Sequence, residues 1–239
     1  MAACSDTEVL VVGGGMVGLA LATALSEAGV AATVVDRLDP ALQRDEAFDG
    51  RGSAIARGSQ NVLQRLDLWA GMAPAASPIL DIRISDGRPD GGRPHVRSGG
   101  ASALHLHFSC REVAEGDDAL PLGWIVENTA IRRASLDRAR TAAKLDLRAP
   151  ADLAEVTRRP GGVTARLADG TSLRARLLVA ADGRRSAQRE AAGIRVTEID
   201  YGQTAIVATV AHTLPHGGVA HEHFLPSGPF ALLPMTDAT

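Results

Sequence analysis

Aromatic side chains make up only 3% of this 239-residue chain. That scarcity largely excludes the stacking platforms on which single-stranded nucleic acids are held. A basic excess is lacking too: the formal net charge is −3, the pI is near 6.2, and the arginines are scattered. A nucleic-acid binder needs a basic surface that displaces counterions, so nucleic acid is not an expected partner. The two cysteines, Cys4 and Cys110, stand far apart without a C-x-x-C pair. They suggest neither a disulfide framework nor a zinc site, and a reducing cytoplasm is the default compartment. Signals for membrane insertion are missing as well. Val9 to Leu25 carries no charge, but Asp6 and Glu8 precede it where a signal peptide would carry Lys or Arg, and glycines at turn spacing do not suit an apolar span. What is abundant is glycine, with 25 residues, and with 12 prolines it implies many turns in a chain long enough for one large or two small domains.

The stretch from Glu8 to Asp36 organises the rest. Val9-Leu10-Val11-Val12 is a short, fully apolar, β-branched run that leads into Gly13-Gly14-Gly15-Met16-Val17-Gly18 and then an Ala/Leu-rich stretch to Ala28. This reads as strand, glycine turn and helix. Gly13, Gly15 and Gly18 fit G-x-G-x-x-G: the first permits the tight turn, the second lets a pyrophosphate approach the backbone, and the third lets helix and strand pack closely. The unpaired N–H groups of the helix N-terminus favour an anion without a lysine. Gly29 is expected to end the helix, and Ala31 to Val35 to form a second buried strand closing on Asp36. An acid about 20 residues after the glycines is where a dinucleotide's ribose hydroxyls are held, and Asp36 takes that role.

Farther on, Arg37 to Gly58 is polar and glycine-bearing and reads as a long loop with one helical turn; Arg51 within it is a candidate for cofactor phosphates. A helix is expected from Ser59, with Val62, Leu63, Leu66 and Trp69 as its apolar face. Ile79 to Ser85 alternates as a strand with one wet face; Arg88 to Ala103 reads as a flexible loop; Leu104 to Phe108 and Leu122 to Val126 read as strands. Asn128-Thr129 would cap a helix over Ile131 to Ala143. The wet strands between 79 and 126 suggest an antiparallel sheet inserted into the dinucleotide fold. Leu145 to Leu147, Ala151 to Thr157 and Val163 to Leu167 fit a β-meander, with turns at Arg159-Pro160-Gly161-Gly162 and Asp169-Gly170. Leu177 to Ala181 is a second wholly apolar strand, running into Asp182-Gly183-Arg184-Arg185-Ser186, where Ser186 or Asp182 can cap a short helix. Ile199 to Val210 is a longer strand pattern. His105 with His107, and His221 with His223 around Glu222, share strand faces, but neither pair has an obvious third ligand, so no metal is expected. Cys110 and Trp124 read as packing residues.

Asp182-Gly183-x-x-Ser186-x-x-Arg189, combined with the N-terminal glycines and Arg51, resembles the flavoprotein aromatic hydroxylases, the group A monooxygenases of the p-hydroxybenzoate hydroxylase fold. Within that group, Val11 through Leu19, Arg51 through Ser59, Arg111-Glu112-Val113, Trp124 through Asn128 with Ile131-Arg132-Arg133, and Phe230 to Met235 are similar to the ubiquinone-biosynthesis hydroxylases of the UbiH/UbiF type. The resemblance covers nearly the whole chain. It implies an α/β fold, with a Rossmann-like FAD-binding domain and an inserted, mainly antiparallel β-sheet substrate domain. Residues 1–78 and 127–195 would form the first, and 79–126 and 196–239 the second. It further implies that Gly13, Gly15 and Gly18 hold the FAD pyrophosphate, Asp36 the adenosine ribose, and Arg51 the phosphate region. Asn128 would touch the ribityl chain, and Asp182 and Gly183 would serve FAD and NAD(P)H. Members of the group continue beyond the Leu-Leu-Pro-Met segment into a Gly-Asp motif that is not found here, so the chain reads as C-terminally truncated.

The activity this resemblance implies is hydroxylation of the ring of a polyprenylated phenol in ubiquinone biosynthesis through a C4a-hydroperoxyflavin, with NAD(P)H as reductant and O2 as co-substrate. No catalytic residue is assigned. A quinone-biosynthesis complex is a candidate partner, and the expected location is cytoplasmic, with peripheral contact at the inner face of the membrane. Two alternatives keep the fold: monooxygenation of a soluble phenol or polyketide, and a non-catalytic, truncated FAD-binding module.

Overall fold

The computed structural model describes residues 4–44, 50–86, 105–112 and 119–236. Its elements in chain order begin with β1 (Cys4–Val12), α1 (Met16–Glu27), β2 (Ala32–Val35), α2 (Pro40–Arg44), β3 (Gly52–Ala56), α3 (Arg57–Arg65) and α4 (Trp69–Met72). They continue with β4 (Ala76–Ile79), β5 (Asp81–Asp86), β6 (His105–Ser109), β7 (Gly123–Glu127), α5 (Asn128–Thr141), β8 (Leu145–Arg148), β9 (Leu153–Arg159) and β10 (Gly162–Leu167). The last are β11 (Ser172–Ala180), α6 (Ala187–Ala191), β12 (Val219–Leu225) and β13 (Gly228–Leu232). Two compact units divide the chain: one comprises Met1–Asp49, Leu63–Met72 and Asn128–Val207, the other Gly50–Val62, Ala73–Glu127 and Ala208–Thr239.

The first unit is built on a six-stranded sheet in the order β8-β2-β1-β11-β10-β9. Strands β8, β2, β1 and β11 are parallel, and β11, β10 and β9 run antiparallel as a meander. Because β1 is apolar at every position from Val9 to Val12, it fills both faces, as a central parallel strand must. Val9 and Val11 pack with Leu19 and Ala22 of α1 and with Leu136 and Ala139 of α5. Leu10 and Val12 pack on the opposite face against Ala165, Leu167, Leu173 and Ala175. Helix α1 ends as expected: Gly29 takes φ +80°, and the Gly29 and Val30 N–H groups bond to the Ser26 and Leu25 carbonyls, the paired bonds of a Schellman motif.

The second unit holds a three-stranded antiparallel sheet, β3-β7-β4, and a four-stranded sheet, β13-β12-β5-β6. In the latter only the β5–β12 pair is parallel. Ile79, Ile82, Ile125, Ala220 and Met235 join the two sheets in one core. The α/β class with a mainly antiparallel sheet unit therefore holds.

Several local expectations are corrected. Residues 52–56, expected as loop, form β3, because β7 supplies a full antiparallel ladder for a segment with little strand signal of its own. Helix α3 starts at Arg57, and Val62, expected on its buried face, is 55% exposed while Gln60 is buried. Ile79 to Ser85 splits at Leu80 into β4 and β5, which belong to different sheets. Leu145 to Leu147 leaves the meander to pair in parallel with β2. Asn128 and Thr129 are the first residues of α5 rather than its flank. Ile199 to Val210 forms no strand, since no described strand pairs with it. The loop expected at 88–103 lies outside the described residues.

Candidate functional site

The glycine turn between β1 and α1 has two steric requirements that no other residue meets. Gly13 takes φ +108°, and a Cβ there would stand 2.3 Å from the Ala181 carbonyl oxygen. A Cβ on Gly18 would stand 1.9 Å from the carbonyl oxygen of Gly13, so only glycine lets α1 sit this close to the turn. Gly15 differs. It is the N-cap of α1, its backbone is extended, and no side chain caps the helix. A Cβ built on it meets nothing within 4 Å, so the space before the first-turn N–H groups is open. An uncapped helix start facing open space fits a diphosphate: the donors are there and no side chain among the described residues caps them.

Asp36 is tied into this turn. One of its carboxylate oxygens accepts the Gly14 N–H at 2.5 Å and the other the Leu38 N–H at 2.7 Å. Each oxygen keeps a further lone pair for a ribose hydroxyl. At Gly14, which the spacing rule leaves as an unspecified position, a Cβ would stand 3.0 Å from the Asp36 Cβ, tighter than ordinary contact. The middle glycine of the three-residue run is the only sequence signal for that contact.

The second turn joins the first through the Ala181 N–H, which donates to the Val12 carbonyl at 2.7 Å. A Cβ on Gly13 would also stand 2.9 Å from the Asp182 Cα, so the two turns are in contact. Asp182 accepts the Ser186 hydroxyl at 2.5 Å and the Gln188 N–H at 3.1 Å, while Ser186 Oγ, as N-cap of α6, accepts the Arg189 N–H at 2.9 Å. Partial burial alone would raise the Asp182 carboxyl, but the Ser186 hydroxyl and the backbone N–H groups of Gln188 and Ala187 outweigh it and hold the group below its ordinary value. Gly183, at φ +84°, is exposed at the crest of the turn with open space where a side chain would be.

Gly13, Gly15, Gly18, Asp36, Asp182 and Gly183 are thus brought together. Asn128 lies in the same unit as the first residue of α5, half-buried. Arg51 belongs to the other unit, exposed just before β3. On the four-stranded sheet, His107 Nε2 contacts Asp81 at 2.8 Å and His223 Nδ1 contacts Ser85 Oγ at 2.6 Å. Among the described residues no group of three or more His, Cys, Asp or Glu is placed to hold a metal ion. Cys110 is free and buried.

Residues 6–237 match the FAD binding domain family. The chain is 46% identical over 228 residues to the ubiquinone hydroxylase UbiL of Rhodospirillum rubrum, covering 95% of this chain and 49% of that one. It is 32% identical over 234 residues to the 3-demethoxyubiquinol 3-hydroxylase of Escherichia coli, covering 97% and 55%. It spans about half the length of these relatives. Among solved structures, PqsL, a probable FAD-dependent monooxygenase from Pseudomonas aeruginosa, superposes with a TM-score of 0.62 at 20% identity, covering 82% of this chain and 48% of that one. The p-nitrophenol 4-monooxygenase PnpA from Pseudomonas putida gives 0.60 at 22%, covering 80% and 44%. These structures share the fold.

Proposed function

The chain belongs to the FAD binding domain family, and from that premise we propose that it is the flavin-holding part of a monooxygenase that hydroxylates the ring of a polyprenylated phenol in ubiquinone biosynthesis. The observation that carries the reading is the contact between the open glycine turn, with Asp36 bonded to it, and the Asp182-Gly183 turn. In this proposal the first-turn N–H groups of α1, freed by Gly13, Gly15 and Gly18, hold the FAD diphosphate, and Asp36 accepts the adenosine ribose hydroxyls. Gly183 leaves the backbone open to the cofactor, Asp182 fixes that turn through Ser186, and Asn128 meets the ribityl chain. FAD, reduced by NAD(P)H, supplies the activation of O2 that protein side chains do not provide. The chain's own part is to bind, to orient the phenol and to exclude water.

The substrate class has its own support. Register puts Ile82, Ile84, Leu106, Phe108 and Phe224 on one face of the four-stranded sheet together with Glu222, and Arg83, His105, His107, His221 and His223 on the other together with Phe230 and Leu232. Leu106, Phe108 and Phe224 are all exposed, which suits a lipophilic substrate better than a small soluble phenol. No helix among the described residues is long and apolar enough to cross a membrane, so contact with a bilayer-held substrate would be peripheral, directly or through a quinone-biosynthesis complex. A non-catalytic FAD-binding module is the second reading, since the contacts of the two turns assign roles in binding only.

The test is the visible spectrum of the purified chain after mixing with FAD and desalting, alongside Asp36→Ala. Retained flavin bands that the variant loses support the cofactor site; a colourless wild type overturns it for this chain. Restored ubiquinone in a hydroxylase-deficient strain expressing the chain would support the enzyme over the module, and continued accumulation of the unhydroxylated precursor despite a flavin-loaded chain would support the module.

A further inference from the structure

The four-stranded sheet has two faces of unlike chemistry, and the polar one has no part in the proposed hydroxylation. Leu232, His221, Arg83 and His107 form one row across β13, β12, β5 and β6, and Phe230, His223, Ser85 and His105 form the next. Neighbouring strands stand about 4.8 Å apart and alternate residues about 7 Å, so four imidazoles and a guanidinium lie within about 15 Å of one another. Four of the chain's seven histidines are gathered there. Arg83, His105, His107 and His221 are exposed, and His223 is half-buried.

Carboxylates on this face are few among the described residues. Asp81 Oδ1 meets His107 Nε2 at 2.8 Å, and Glu112, in the turn after β6, accepts the Ser109 N–H at 3.5 Å. Ser85 Oγ meets His223 Nδ1 at 2.6 Å. Strand β13 adds no titratable group, and Glu222 lies on the opposite face. With neutral imidazoles Arg83 is outweighed by Asp81 and Glu112. Imidazoles change charge between about pH 5 and 8, and with all four protonated the face reaches a net charge of about +3. Strand β13 is asymmetric in its own way: its large side chains, Phe230 and Leu232, share the histidine face, 54% and 48% exposed, while Pro229 and Ala231 take the other.

We propose that this face binds an anionic lipid bilayer once its histidines are protonated, with the imidazoles and Arg83 on the headgroups and Phe230 and Leu232 in the acyl boundary. Charge complementarity argues for that occupant. An anionic leaflet attracts cationic groups by about fivefold in affinity for each charge near its surface, and its negative potential concentrates protons there as well. Phe230 and Leu232, exposed beside the cations, favour a bilayer over an acidic polypeptide, which would match the charge alone. The choice of a bilayer also rests on the polyprenylated-phenol reading, which puts the substrate in a membrane.

The experiment sediments the purified chain, without flavin or phenol, with vesicles of phosphatidylcholine alone or mixed with phosphatidylglycerol. Expected is binding to the mixed vesicles at about pH 5.5 that weakens at least about thirtyfold at about pH 7.5, and none to phosphatidylcholine alone. His221→Gln combined with His223→Gln removes two charges and should weaken binding at about pH 5.5 roughly thirtyfold. His212→Gln, at an exposed position before β12 and outside the sheet, should change it less than about twofold. Phe230→Ser should cost about tenfold. Circular dichroism melts check that each variant is folded, and if the double variant melts early, His221→Gln alone gives the same comparison at about fivefold. No binding, equal binding at the two pH values, binding to phosphatidylcholine alone, binding unchanged by the histidine substitutions, or an equal loss with His212→Gln would each overturn the proposal. So would binding to poly-glutamate as tight as to the mixed vesicles with no effect of Phe230→Ser, which would make an acidic polypeptide the occupant. Failure here leaves the flavin reading standing, and a colourless chain that still binds mixed vesicles counts against the flavin reading only.

Discussion

Two glycines of one turn should respond to the same substitution in opposite ways. In Gly18→Ala the new methyl would lie 1.9 Å from the Gly13 carbonyl oxygen, 3.1 Å from its carbon and 3.3 Å from the Ala181 Cβ. Backbone atoms cannot swing aside, so α1 must retreat from the turn by about an ångström, an overpacking cost of roughly 1–3 kcal/mol. For a chain of this size that lowers Tm by about 3–10 °C. In Gly15→Ala the methyl meets nothing within 4 Å, and φ is −74°, open to any residue. Replacing an N-cap glycine should cost below about 1 kcal/mol. The same methyl, however, enters the space assigned to the diphosphate. Loss of one charge-assisted hydrogen bond, about 1.5–3 kcal/mol, corresponds to a roughly tenfold to 150-fold weaker FAD complex. Thermal melts followed by circular dichroism, paired with flavin titrations, read the two effects separately. A folded Gly15→Ala that binds FAD as tightly as the wild type would refute the placement of the diphosphate. Equal melting of the two variants would refute the steric argument.

Leu10 is fully buried between β10 and β11 side chains, so Leu10→Ala should cost about 2–5 kcal/mol in urea unfolding; a loss below about 1 kcal/mol would mean that this core is looser than the packing indicates. Thr23 is wholly buried in α1 with its hydroxyl lacking a partner among the described residues, so Thr23→Val should leave stability unchanged or raise it by about 1 kcal/mol, and a clear loss would reveal a bond to that hydroxyl. The Asp182 carboxyl is held below its ordinary value in the folded chain. Its contribution is therefore complete above the unfolded-state value and disappears as pH falls through the lowered one. Asp182→Asn should be less stable than the wild type at neutral pH, and the two should converge as pH falls through and below the ordinary carboxylate range; a constant gap would refute the linkage.

The glycine turn was legible because its requirements are local. A positive φ at Gly13, a close helix at Gly18 and a left-handed stop at Gly29 each leave a residue-type signature at fixed spacing from an apolar strand. Asp36 was legible for the same reason, although its bond to the Gly14 N–H was not: that contact depends on how β2 ends against the turn, through space rather than along the chain. Strand β3 was missed because its ladder comes from β7, some 70 residues away, while Gly52-Ser53-Ala54 has weak strand preference on its own. Val62 was misplaced by periodicity, which identifies an apolar stripe without identifying what covers it.

The strand patterns carry this lesson furthest, because alternation or an apolar run describes side chains whereas a strand is completed by a neighbour's backbone. Leu145 to Leu147 and Ile199 to Val210 look alike in sequence. The first found β2 and became a parallel strand; the second has no pairing partner among the described residues, and Ile199, Ile206 and Val210 stand 71%, 91% and 65% exposed. The outer edge of Arg176–Ala180 is the same case with one side satisfied. Exposed apolar surface that is patterned for pairing differs from scattered surface leucines, because its backbone groups and its side chains ask for the same kind of cover.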